Sequence, residues 1–171
     1  MPALDYVFFD LARGARGEPS EVSTIRTDRK GSVLATRGDV LAEGLTLSSA
    51  LSGIERAILK PFGTEYMVVS HLGYPPDDVR GVLGDRWIFT SQLAYPLLHA
   101  ESIASLRLPV VAAYFKVEYD AKNPSSEASV RTVRAIFFEM MRRYRTALIG
   151  EEALTHFQGE AVGKLRKLFG V

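Results

Sequence analysis

Two kinds of side chain in this 171-residue sequence are spaced so that they could do chemistry. Asp10 closes the apolar run Tyr6-Val7-Phe8-Phe9. Open α/β sheets bind ligands beyond the carboxyl ends of their strands, so a carboxylate there is placed to hold a metal ion or move a proton. Arg131, Arg134, Arg142 and Arg145 recur on one face of a helical pattern with Phe138 between them, and Arg13 and Arg16 follow Asp10 closely. Such a stripe could grip phosphates while the ring stacks on a base. Both features also have plain structural readings, since Asp is a common turn former and arginine stripes are often solvated.

Other chemistries are excluded by residue type. There is no cysteine, which removes disulfides, thiol catalysis and thiolate zinc sites. His71, His99 and His156 have no ligand spacing and read as packed or surface histidines. Gly14 and Gly17 lack the following Lys-Ser/Thr of a P-loop. A net charge of +1 makes no global case for nucleic acid, so any such contact must come from local clustering of the 21 basic residues. No apolar run is long enough for a membrane span and no signal-peptide core is evident, so a cytoplasmic protein is expected.

The elements that must position these residues follow from periodicity. The run at 6–10 predicts a central strand buried on both faces, and 66–71 a second one beside it. The glycine- and proline-bearing stretch 11–20 predicts a flexible loop over the strand end. Residues 21–27 and 32–36, joined by Asp28-Arg29-Lys30-Gly31, predict a hairpin. Leu47, Leu51, Ile54 and Ile58 predict a helix over about 48–60, followed by an irregular or briefly helical 72–84 and a short strand at 87–89. Residues 91–99 predict a helix started or kinked by Pro96. Propensity leaves 109–115 open between strand and helix. Asn123-Pro124 is expected to cap a long helix carrying Val130, Val133, Ile136, Phe137, Met140, Met141, Tyr144 and Leu148. A second amphipathic helix is expected at about 151–169, after Gly150. Neither repeat nor linker divides residues 1–171, so a single domain is expected.

Taken in order, these elements resemble the ribonuclease H-like fold, and local runs resemble the 3′–5′ exonucleases of the DEDD class, the family of the DNA polymerase III epsilon proofreading subunit. Tyr6 to Asp10 resembles the first motif, Met67 to His71 the opening of the second, Trp87-Ile88-Phe89-Thr90 its later part, and Leu108 to Val117 the helix before the third. The resemblance implies an α/β fold with a mixed central sheet of about five strands, one of them an antiparallel hairpin strand, flanked by helices; it makes 109–115 helical. It also implies two magnesium ions held by four carboxylates, with a histidine as base. Asp10 matches the first acid. The paired Glu position is Ala12, the second-motif acid falls near Pro76, the third-motif histidine on Ser129 and the last acid on Arg134.

A lone carboxylate cannot offset two divalent cations, so the expectation is a degenerate exonuclease-fold protein without a cofactor, binding nucleic acid through Arg13, Arg16, Arg131, Arg134 and Arg142 or serving as a structural or partner-binding module. Arg134 is expected to pair with Asp10. One alternative is an active enzyme using magnesium or manganese, with Asp10 as catalytic residue and metal ligand alongside Asp78 or Asp77, and with Glu139 rebuilding the site. Another is a small protein-binding subunit that contacts no nucleic acid. The basic end of the chain, Lys164, Arg166 and Lys167 around Leu165 and Leu168, offers a surface for a protein partner or self-association.

Overall fold

The computed structural model describes residues 4–149 apart from 42, 43, 72 and 74. The helix expected at 151–169 lies outside the described residues. Five strands form one sheet in the order β3-β2-β1-β4-β5: β1 (Asp5–Arg13), β2 (Pro19–Thr27), β3 (Val33–Val40), β4 (Tyr66–Ser70) and β5 (Trp87–Phe89). β2 runs antiparallel to both its neighbours, while β4 and β5 run parallel to β1.

β1 is the middle strand, and its alternation builds two cores. Tyr6 and Phe8 point to one face, Val7 and Phe9 to the other. On the first face lie α3 (Thr90–Ala100), α4 (Leu108–Phe115) and α5 (Ser126–Ile149); on the second lie α1 (Leu47–Ile54) and α2 (Asp77–Leu83). The long helix buries Val130, Val133, Ile136, Phe137, Met140 and Tyr144, a stripe that recurs every three or four residues with Ile136 and Phe137 adjacent, against β1 and β2.

The structure corrects several sequence expectations. Residues 11–20 are not a loop over the strand end. β1 continues to Arg13 and turns tightly into β2, with Gly14 and Glu18 bonded N to O at 2.8 Å and Gly17 at φ 83°, a backbone that glycine adopts without strain. α5 is capped by Ser125 rather than Asn123: its hydroxyl accepts from Ala128 N at 3.1 Å. Pro96 does not start α3, which begins at Thr90, but lies inside it. α1 opens at Thr46, whose hydroxyl accepts from Ser49 N at 3.2 Å, and then loosens through a π turn (Glu55–Leu59) into a 3-10 turn (Lys60–Phe62).

The end of that loosened helix is held by a residue on the sheet. Arg26, fully buried on β2, donates to the carbonyls of Ile58, Leu59, Phe62 and Gly63 at 3.0–3.3 Å and to Asp5 Oδ2 at 2.8 and 3.0 Å. Its guanidinium also lies over the rings of Phe62 and Tyr66. Four carbonyls that a helix end leaves without partners thus share one cation. Among the described residues no helix is long and apolar enough to cross a membrane.

Candidate functional site

Parallel pairing between β1 and β4 ends at Phe8 and Val69, so Asp10 projects past the carboxyl end of β4. Phe9, Asp10, Leu11, Arg13, Ser70, Gly73, Pro75, Pro76 and Trp87 line a pocket of about 180 Å³ at that edge. The crevice arises because β1 and β2 continue as a hairpin where β4 and β5 stop. Trp87 is fixed edge-on to Phe9, with ring centroids 5.9 Å apart, and its indole N–H donates to Gly84 O at 2.6 Å.

Asp10 is half-buried, and burial pushes its carboxyl up to about 6, with the negative charge of Glu21 adding to the rise. Glu21 stands on β2 opposite Ala12, and Ser23 opposite Asp10. Directly opposed antiparallel residues share a face, so all four lie on the α5 side. There Ser23 Oγ is 2.7 Å from Ser126 Oγ, and Glu21 Oε2 accepts from Ser126 N at 2.9 Å. The carboxylate thereby sits at the N-terminus of α5, where it is favoured by the helix dipole.

This geometry relocates the residues expected from sequence. Ser126, not Arg134, is the α5 residue that reaches Ser23, the strand neighbour of Asp10. Arg134 lies eight residues further along α5, about 12 Å away, and donates to Gly31 O at 2.6 Å in the β2–β3 turn, beyond the other end of β1. No cation pairs with Asp10 among the described residues. Phe138 is not a platform for a base, since it packs on Gly31 and makes edge contacts with Tyr6 and Phe137 in the core. Arg131 is exposed and paired with Glu127; Arg142 and Arg143 share Glu139, whose carboxyl they hold down at about 2. Glu139 is therefore committed far from Asp10. Asp78 is exposed in the first turn of α2, accepts from Val79 N and does not line the pocket. Arg13 does line it, with its Nη1 donating to Gly17 O at 2.7 Å, and Arg16 is exposed in the same turn.

Two histidines have structural settings. His71 is buried between Thr90 Oγ1 and Leu106 O, each 2.8 Å away. His99 stacks on Tyr95 at the surface, and His156 lies outside the described residues. Among the described residues no three His, Asp or Glu side chains come together as a metal group. The donors near Asp10 are Ser23, Ser126 and a Glu21 already bonded to the backbone, a set that does not fit a pair of divalent cations.

Comparison with solved structures matches the fold of this chain to exonuclease I. A product-bound exonuclease I superposes with a TM-score of 0.56 at 15% identity over 84% of this chain. The chain shares the fold of the superposed part of exonuclease I. A second exonuclease I structure, described as suggesting how processivity is achieved, gives 0.56 at 12% identity over 89% of the chain, and an apo form gives 0.51 at 13% over 86%. The chain spans 45% of the length of each of these exonuclease-fold proteins. No family profile and no curated protein matches the sequence.

Sequence reasoning missed Glu21 and Arg26 at this fold's key joints. Glu21 was legible in principle: reading Gly14 and Gly17 as a hairpin turn puts it across from Ala12. Arg26 gave no such signal, because one charge in a β-prone run looks like a solvent-facing position.

Proposed function

We propose that this exonuclease-fold chain holds the end of a single nucleic-acid strand at the carboxyl edge of its sheet without hydrolysing it. The observation that carries this reading is the donor set around Asp10. The pocket keeps a concave shape, a Trp87 ring and the Arg13 cation, while Ala12, Ser126 and Pro76 supply none of the carboxylates that a two-metal mechanism needs. Asp10, ionised above about pH 6, has Glu21 as its acidic neighbour, and that carboxylate is already bonded to Ser126 N.

In this reading Arg13 and Arg16 contact phosphates and Trp87 lies against a terminal base, a combination that tolerates any sequence because every base has a π-face. Arg131 and Arg142 contribute less, because each already faces a glutamate on its own helix. The test is binding of labelled single-stranded DNA and RNA by anisotropy over a salt series. Affinity should fall steeply with salt as counterions are released, and Arg13→Ala and Arg16→Ala should flatten the slope by about one each. Binding that ignores salt and both substitutions would instead favour a protein-binding subunit.

A further inference from the structure

β3 closes one side of the sheet, and among the described residues nothing pairs with its outer edge. It runs for eight residues without a proline or lysine, and it exposes Val33 at 50%, Leu34 at 38% and Val40 at 68%. Sheets ordinarily guard such an edge with short strands, lysines, prolines or bulges; the one irregularity in the pairing of β3 with β2 falls at Leu34, outside the 35–40 stretch. The charges that β3 does carry are self-matched: Arg37 Nε and Nη2 donate to Asp39 at 2.7 and 3.0 Å.

In an antiparallel pair of two identical strands the sum of opposed residue numbers is constant, and opposed side chains share a face. With a two-fold axis at Gly38, Arg37 opposes Asp39 of the second copy and Asp39 opposes Arg37 of the second copy. Each charge then has an opposite neighbour along its own strand and across it. Moving the axis to Arg37 sets guanidinium against guanidinium. Moving it to Thr36 sets Arg37 against Ala35 and Asp39 against Val33. Gly38 brings no side chain to crowd the axis, and on the α5 side Thr36 meets Val40. A pocket of about 380 Å³ between β3 and the start of α5, lined by Thr36, Gly38, Val40, Ser126 and Val130, leaves room for that apolar contact.

We propose that β3 is the interface of a homodimer, paired antiparallel about Gly38 so that the two sheets become one. The inference goes beyond the function above and does not rest on it. An extended peptide from another protein is the competing occupant of the same edge.

The test uses the full chain, which contains no cysteine. Sedimentation velocity over a concentration series should show a monomer–dimer equilibrium. Mixing Thr36→Cys with Val40→Cys chains under oxidising conditions should give a cross-linked dimer that neither chain forms alone, because opposed Cα atoms about 4.5–5.5 Å apart allow a disulfide. Arg37→Asp or Asp39→Arg should each weaken the dimer at least about tenfold, since symmetry repeats each like-charge contact. The double exchange should restore it. Val40→Lys, at an exposed position, serves as a second disrupting variant, and circular dichroism checks each fold. A chain that stays monomeric throughout overturns the proposal. So does a dimer that resists all three substitutions and forms no mixed cross-link, which would place the interface elsewhere, or leave the edge to a foreign strand.

Discussion

Ser126 Oγ lies 2.7 Å from Ser23 Oγ, and Ser23 is the β2 residue directly across from Asp10. The first turn of α5, not its middle, therefore faces the sheet-edge acid. Beside it two hydroxyls bond each other and a glutamate caps the helix.

Asp10 should make stability fall as pH rises. Its folded carboxyl titrates at about 6, above the ordinary value of about 3.9. The protonated group thus contributes stability below about pH 4 that is lost as pH rises through 6. Asp10→Asn, a permanent neutral mimic, should match the parent at pH 4 and exceed it by about 1–3 kcal/mol at pH 7.5 in urea denaturation. Equal stability at both pH values would contradict the burial argument.

Glu21→Gln should keep the cap on Ser126 N while removing the charge that adds to the rise on Asp10. Carbon-detected NMR titration should show the Asp10 carboxyl moving down toward ordinary values but not reaching them, because burial is the larger cause. Glu21→Ala, which also removes the cap, should cost about 1 kcal/mol of stability.

His71 should act in the opposite sense to Asp10. Leu106 O can only accept, so Nε2 carries the proton and Nδ1 accepts from Thr90. Burial lowers its folded pKa, so the neutral ring's contribution is full above about pH 6.5 and is lost as pH falls and the unfolded chain takes up the proton. Nitrogen NMR should report a neutral Nε2–H ring above about pH 6.5 and a titration midpoint below that of an ordinary histidine. A midpoint at or above the ordinary value, or a proton on Nδ1 in the neutral ring, would contradict the assignment.

Arg26→Met should cost about 3–5 kcal/mol, because it strands Asp5 and removes the donor shared by four carbonyls. Arg26→Lys should recover only part of that, since an ammonium cannot reproduce the planar fork. Denaturation midpoints of the two variants check the order.

The legible parts of the fold were those set by local pattern. Val7, Phe8, Val68 and Val69 announce strands buried on both faces, and Val130 to Tyr144 announce a helix lying on them. β3 was legible only to Thr36, because an edge strand needs no apolar run and Arg37, Gly38 and Asp39 read as turn residues. The site was harder because it depends on how two elements are offset. Eight residues along α5 separate Ser126, which meets Ser23, from Arg134, which meets Gly31, and the helical period alone does not say which turn meets which end of the sheet.

Release of nucleotides from 3′-labelled single-stranded DNA and RNA, with magnesium or manganese and an Asp10→Ala control, tests the central claim most directly. The expected result is no release above the control and no metal binding by calorimetry, while the same strands bind with a salt dependence that Arg13→Ala weakens. Release that disappears in Asp10→Ala would contradict it, and would mean that Asp10 and Glu21 rebuild a working metal site at the sheet edge.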